Sequence, residues 1–201
     1  MRARSIAIGA LLMALAQGAA AQQSDVDPWE GWNRAVFAFN DVADRWLLKP
    51  LAKGYKAVTP DLVERGLLNV LSNVGEIENT INDVLQWKWG QAANDSGRFL
   101  TNSTIGMLGI FDVASKMGLE QSQGENFGQT LGVWGLKKGP YVVLPLMGPS
   151  TLRGVAAMPV NNYLDVVGDL DHVRTRNTVR GVSLLAVRAA FLDADRLISG
   201  D

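Results

Sequence analysis

Cysteine is absent from this 201-residue chain, which excludes disulfides, thiolate nucleophiles and cysteine-held zinc. Whatever holds the fold together must therefore come from packing. Histidine occurs once, as His172 in Asp169-Leu170-Asp171-His172. That stretch carries no nucleophile signature and lacks the second histidine of a zinc-hydrolase helix. No Gly-x-Ser-x-Gly elbow occurs anywhere, so the usual layout for nucleophilic ester hydrolysis is missing. Phosphate-cradling glycine loops are missing too, in both the Gly-x-x-x-x-Gly-Lys-[Ser/Thr] and the Gly-x-Gly-x-x-Gly form. Asp165, Asp169 and Asp171 do not follow the spacing of a calcium loop. These absences argue against an enzyme, a nucleotide site, a metal site and any other cofactor.

Charge of one sign is also lacking. Lysine and arginine number 19 against 20 acidic residues, a formal net charge of −1, so there is no basic footprint for nucleic acid. Nor is there a long hydrophobic run. The longest, Ile6 to Ala16, falls well short of the roughly 20 residues that span a bilayer as a helix. It is preceded by Arg2 and Arg4 and followed by Gly18-Ala19-Ala20-Ala21, the charged, apolar and small-residue order of a secretory signal peptide. Residues 1–21 are therefore expected to be removed at export, and 22–201 to form one domain. Taking the two arginines from the net charge leaves about −3 for that domain.

What is present is apolar surface distributed over helices: 47% of residues are hydrophobic and 19% charged. Asp27-Pro28-Trp29-Glu30 is a helix start, with Asp27 as cap and Glu30 placed to reach back to it. The helix is expected to run to about Lys49 and stop at Pro50. Trp29, Trp32, Val36, Phe39, Ala43 and Trp46 recur along it at spacings of three and four, one stripe, with Phe37 off it. The tryptophans fit either core packing or a belt at a membrane interface. Asn33 and Asn40, seven residues apart at the stripe's edge, fit a helix contact or a polar headgroup.

Thr59-Pro60-Asp61 restarts helix, with Thr59 as the expected cap. A third helix is read over Glu76 to Trp89, with Ile77, Ile81, Val84 and Leu85 on one face and Glu78, Asn82 and Asp83 opposite. Ala92 to Ile105 and Ile110 to Met117 read as two more, split by Gly106 and Gly109. Gly124, Gly128 and Gly132 recur every four residues, a spacing that admits close approach of another helix or a lipid chain. Tyr141-Val142-Val143-Leu144-Pro145, bounded by glycines and prolines, predicts an extended loop or small hairpin over 136–149. Helix resumes after Pro149, and a last one is read from Arg176 to Ile198 with Val179, Val182, Leu185, Ala186, Ala189 and Leu192 inward. Its arginines, with Arg174, fit phosphate contacts or a solvated face.

Three blocks, in order, resemble one known family. The first is Asp27-Pro28-Trp29-Glu30-Gly31-Trp32-Asn33-Arg34, then Phe37-Ala38-Phe39-Asn40 and Lys49-Pro50. The second runs Arg98-Phe99-Leu100-Thr101-Asn102-Ser103-Thr104-Ile105-Gly106 to Gly109-Ile110-Phe111-Asp112-Val113-Ala114. The third runs from Glu125-Asn126-Phe127-Gly128-Gln129-Thr130-Leu131-Gly132 through Gly139-Pro140-Tyr141 and Leu144-Pro145 to Gly148-Pro149-Ser150-Thr151-Leu152-Arg153. They resemble the MlaA (VacJ) family over about residues 27–198.

The resemblance implies a mainly helical, ring-like protein at the periplasmic face of the Gram-negative outer membrane, with an amphipathic channel. It implies removal of mislocalised phospholipid from the outer leaflet, with a trimeric porin and a periplasmic lipid carrier as partners. Phe37, Phe39, Asn40, Tyr141, Leu144 and Leu146 are then the candidates for the lipid path or gate, and Trp29, Trp32, Trp46 and Trp134 for the membrane interface. The alternative is an envelope adaptor that binds a porin or other outer-membrane protein and moves no lipid. Two departures stand out. The family is commonly lipidated on cysteine and this chain has none, so retention at the membrane is expected to rest on its embedded surface or a partner. It also usually continues past a motif like Ala194-Asp195-Arg196-Leu197-Ile198, whereas this sequence stops at Asp201.

The export reading predicts an intact mass for the protein recovered from the envelope that starts at Gln22. A mass retaining Met1 would refute cleavage.

Overall fold

The computed structural model describes residues 27–168, 170–192 and 194–195. The expected export segment, Asp169 and the stretch after Asp195 lie outside the described residues. The chain is mainly helical, as the periodicity implied, with one antiparallel hairpin.

Helix α1 (Glu30–Ala43) begins two residues after Pro28, the expected first position, with Trp29 in the cap position and no side-chain cap. The Asp27 carboxylate accepts the Trp29 N–H at 2.9 Å, while Glu30 reaches forward to Arg34 at 2.7 Å and not back to the cap. Pro50 does not end the helix. The chain passes through a π-helical turn (Asp44–Leu48), in which the Lys49 N–H bonds to the Asp44 carbonyl, into α2 (Lys49–Val58). Widening the turn by one residue is a way to admit a ring that lacks an N–H and would crowd the preceding turn of a regular α-helix.

The second and third expected helices are one, α3 (Asp61–Leu85), about 38 Å long at 1.5 Å per residue. Its start carries no side-chain cap, so Thr59 does not serve as one. α4 (Trp89–Thr104) runs back along it, and the pairs Glu76–Arg98 and Asn73–Ser103 fix the antiparallel register. The helix expected over Ile110 to Met117 shrinks to α5 (Val113–Lys116), capped by Asp112. α6 (Phe127–Val133) packs on α7 (Leu152–Leu164). A Cβ on Gly128 would stand 3.5 Å from the Gly154 backbone and 3.6 Å from Ala157, the close helix approach that the glycine spacing allowed.

β1 (Tyr141–Leu144) and β2 (Gly148–Thr151) form the small hairpin, with Tyr141 opposite Thr151 and Leu144 opposite Gly148. The final helix, α8 (Val173–Ala190), begins three residues before the expected start, and Val182 lies on its exposed side. The contacts close a circuit. α1 holds β1, β2 leads into α7, α7 packs on α6 and α3, α3 packs on α8, and α8 packs on α2, which continues α1. At the last junction Arg188 pairs with Asp44 at 2.6 Å and with Asp195 at 2.7 Å. That arginine closes the ring and does not lie on a solvated face.

The interior is polar. The largest fully buried side chains are Glu76, Asn82, Thr130, Asp83 and Asp95. Among the described residues six of the eleven buried apolar side chains are alanines, so conventional core burial is small. The expected polar face of Asn82 and Asp83 therefore points inward, and Val84 outward. Arg98 ties this interior together. It donates to Glu76 at 2.9 Å, to Ser115 Oγ at 3.0 Å, to the Leu119 carbonyl at 3.2 Å and to Asp112 at 3.4 Å. Burial pushes Asp112 up, but the Ser115 hydroxyl and N–H, Asn102 and Arg98 outweigh it and hold the carboxyl below its usual range.

Next to this network, Thr130 donates to Asn82 at 2.8 Å, and Gln86 bridges Glu125 and Thr130. Neither oxygen of the Asp83 carboxyl has a donor. Burial, with Asp95 and Glu125 nearby, pushes Asp83 up to about 6. Protonated, it can donate to Asp95. Because the folded state holds this proton more tightly than the unfolded chain, the stabilisation is complete below the ordinary aspartate range and is lost as pH rises through about 6. Asp83→Asn should therefore raise stability at pH 8, by at most about 3 kcal/mol, and change it little at pH 4. Denaturation in detergent at the two pH values checks this, and equal shifts would contradict it.

Candidate functional site

The site is built on α1 and the hairpin. Asn33 and Asn40 share one helical stripe, and their amides act as the missing neighbour of β1. The Asn33 side chain accepts the Val143 N–H at 2.6 Å and donates to the Tyr141 carbonyl at 3.1 Å. Two turns on, Asn40 accepts the Leu146 N–H at 2.8 Å and donates to the Leu144 carbonyl at 2.9 Å. Between them the Trp32 indole N–H donates to the Val143 carbonyl at 3.1 Å. A seven-residue helical repeat spans about 10.5 Å, close to three residues of strand, which is why two asparagines at this spacing meet Val143 and Leu146. They fix a strand and not another helix.

With its edge satisfied, the hairpin presents side chains outward. Val142 and Val143 are buried, Leu144 is half-buried, and Tyr141 and Leu146 are exposed. Leu146 stands at φ +62°, a left-handed conformation that costs of order 1–3 kcal/mol for a residue with a side chain. Phe37 and Phe39 project from α1 into the surroundings. The structure thus joins Asn40 on α1 to Leu144 at the end of β1 and to Leu146 in the turn after it, with Phe39 next to Asn40 on the helix. Asn40 has both ends of its amide engaged by hairpin backbone.

The tryptophan stripe is not a core. Trp29, Trp32 and Trp46 are exposed, Trp46 at 79%, and only Val36 of that stripe is buried. Trp134 is also exposed, yet its N–H donates to the Leu85 carbonyl at 3.0 Å and its ring meets Phe127 edge-on. Trp32 and Trp134 therefore need no outside hydrogen-bond partner and present only hydrocarbon.

Sequence reasoning missed two further apolar features. Trp87 (φ +64°) and Trp89 form an exposed edge-on pair at the α3–α4 turn. The loop 105–111 displays Ile105, Met107, Leu108 and Phe111, with Met107 and Leu108 at positive φ. Gly106 and Gly109 make that loop possible, since a Cβ would stand 2.3 Å from the Phe111 carbonyl or 2.7 Å from Asn73. Exposed apolar residues between two glycines were the available signal. A third missed feature is a cavity of about 350 Å³ between the middle of α3, the end of α7 and α8. None of the six lipid-path candidates lines it. No described helix is long and apolar enough to cross a membrane, and no described group of three or more acidic or histidine side chains is placed to hold a metal.

A family profile described as MlaA lipoprotein matches residues 25–201. The chain belongs to the MlaA family. The Escherichia coli intermembrane phospholipid transport system lipoprotein MlaA is 32% identical over 98% of this chain and 80% of its own length. A Haemophilus influenzae protein of the same name is 31% identical over 80% of this chain and 68% of its own. An uncharacterised protein of Rickettsia typhi is 43% identical over 68% of the chain, which there spans about half, 54%, of the relative's length. Among solved structures, one described as the structural basis for maintenance of bacterial outer membrane lipid asymmetry aligns with a TM-score of 0.75. It is 31% identical, and the match covers 88% of this chain and 89% of that one. The ring-like, mainly helical fold is thus shared.

The MlaA blocks have structural meaning here. Asp27, Trp32, Asn33 and Asn40 of the first dock the hairpin that the third supplies. Arg98, Asn102, Gly106, Gly109 and Asp112 of the second form the buried network and the loop it supports.

Removing both bonds of Asn40 should loosen the hairpin without unfolding the ring. Asn40→Ala is expected to lower hydrogen-exchange protection of the Leu146 amide and its neighbours about 10- to 100-fold, the scale of one or two lost hydrogen bonds. Amides of α3 and α4 should be unaffected. Unchanged exchange at Leu146 would show that the asparagine does not hold the hairpin.

Proposed function

We propose that this protein is a non-catalytic conduit for phospholipid in the outer membrane. It removes misplaced lipid from the outer leaflet and passes it to a periplasmic carrier, beside a trimeric porin. The observation that carries this reading is the inverted distribution of polarity. Ion pairs and amides fill the interior while tryptophan, phenylalanine, leucine and methionine face out. In water such a surface would drive association, whereas in the apolar part of a leaflet it is solvated. The names of the Escherichia coli and Haemophilus influenzae relatives, both phospholipid transport lipoproteins, support the same reading.

Helices too short or too polar to span a bilayer fit a protein lying in one leaflet. The buried polar network gives the ring a rigid frame, and the hairpin, hung on Asn33 and Asn40, is the natural gate. Phe37, Phe39, Tyr141, Leu144 and Leu146 would meet acyl chains there, while Asn40 acts by positioning the hairpin. Trp29, Trp32, Trp46 and Trp134 would pack against lipid. With no cysteine in the sequence, attachment would come from this apolar surface and a porin partner. Nothing in this scheme needs a covalent step.

Leu144→Asp, at the half-buried edge of the hairpin, is the decisive variant. Phospholipid accessible from outside the cell should rise several-fold, to about the level of a deletion strain, while the variant stays in the outer-membrane fraction and still co-purifies with its porin. That scale reflects the roughly 3 kcal/mol or more for placing a carboxylate in an apolar path. Normal lipid asymmetry with the variant correctly located would instead support an adaptor that moves no lipid.

A further inference from the structure

The cavity between α3, α7 and α8 is lined by apolar and charged side chains. Leu71, Val74 and Val187 are among its apolar lining, and Glu78, Asp165 and Arg180 are its charged lining residues. Asp165 is satisfied, since it accepts Arg180 at 2.9 Å and the Val167 N–H at 3.0 Å. The Glu78 carbonyl accepts the Asn82 amide at 2.9 Å, but its side-chain carboxylate has no hydrogen bond or ion pair among the described residues. Burial and the neighbouring Asp165 raise its pKa, the signature of a carboxylate that lacks a cation. Arg180, by contrast, has five N–H donors, of which the bond to Asp165 takes one.

From this arrangement we infer that the cavity is a headgroup subsite for a zwitterionic phospholipid bearing a primary ammonium, with the ammonium on Glu78 and the phosphate on Arg180. The inference rests on the phospholipid-transport reading and adds a headgroup class to it. Its volume lies at the small end of ligand pockets, about 300–1,000 Å³, enough for a headgroup and the first part of its chains against Leu71, Val74 and Val187. A primary ammonium donates hydrogen bonds to a carboxylate, which a quaternary one cannot. Quaternary ammonium sites are built from aromatic cages, and no aromatic residue lines this cavity. An anionic headgroup without an amine could also place its phosphate on Arg180 but would leave the Glu78 carboxylate without a cation. The site therefore selects by the group that Glu78 is missing.

The full-length protein, purified in mild detergent and equilibrated with vesicles of equal phosphatidylethanolamine, phosphatidylcholine and phosphatidylglycerol, provides the test. Mass spectrometry of the bound lipid should show ethanolamine lipid enriched about tenfold over each competitor, the scale of one charge-assisted hydrogen bond. Glu78→Gln, nearly isosteric, should retain bound lipid but return its composition to that of the vesicles, and Glu78→Arg should shift it toward phosphatidylglycerol. Equal composition in wild type and Glu78→Gln, with lipid bound to both, would overturn the subsite and leave the conduit reading intact. A wild-type protein that binds no lipid would overturn both. Displacement of the lipid by soluble phosphoethanolamine at equal concentration would assign the cavity to a free amine and overturn the lipid subsite.

Discussion

A guanidinium that is 2% exposed cannot remain without counter-charge, and much of this fold is arranged around Arg98. It stands on α4, reaches Glu76 on α3, and holds Asp112 and Ser115 at the start of α5. A buried ion pair of this kind adds little net stability over an apolar substitute, yet removing one partner strands a charge at a cost of about 3–5 kcal/mol. The pair therefore specifies more than it stabilises. Only one register of the α3–α4 hairpin puts Glu76 beside Arg98. The same register sets Asn73 on Ser103 and under Gly109, and so determines where the apolar loop 105–111 emerges.

That specificity by polar contacts accords with the proposed lipid surroundings. In water a helical ring would be held by leucines packed inward, and polar groups would face out. Here the helices pack through alanine and glycine, with Ala52 against Ala189 and Gly128 against Gly154 and Ala157. Close backbone approach gives van der Waals contact in place of a large apolar core, the packing that the proposed lipid surroundings would call for. The left-handed residues Met107, Leu108 and Leu146 fit the same economy. Each combines a left-handed backbone with an apolar side chain that is exposed, a cost that the proposed lipid contact would offset.

The hairpin and the family blocks were legible in the sequence because they rest on local chemistry: the glycine-proline boundaries around Tyr141 and the order of the motifs. Helix starts were legible to within a few residues, with the Asp27 carboxylate on the Trp29 N–H and not capping the helix itself. Helix lengths were less so. Pro50 signals a stop in any local reading, and only a π turn at Asp44–Leu48 lets the helix continue. The two-helix reading across α3 failed because local start and stop signals carry no information about the partner helix that keeps a 25-residue element straight. Which face of α3 is inside was misread for a deeper reason. Periodicity locates a polar face and an apolar face, but the partners decide which one is buried. Asn82 turns inward onto Thr130, with Gln86 bridging Thr130 and Glu125, and Thr130 and Glu125 lie far along the chain and leave no mark on the local pattern.

The same reasoning explains why the two asparagines of α1 matter more than their size implies. A short strand edge facing hydrocarbon would leave the N–H groups of Val143 and Leu146 and the carbonyls of Tyr141 and Leu144 unpaired, several kcal/mol in an apolar medium. Adding a third strand would close that edge permanently. Two side-chain amides on a helix close it with four discrete bonds, and side-chain bonds can be released one asparagine at a time. In the proposed conduit, a hairpin that stays attached in lipid yet yields when a headgroup passes would need that kind of attachment. The Asn33–Asn40 spacing provides it by matching two turns of helix to three residues of strand.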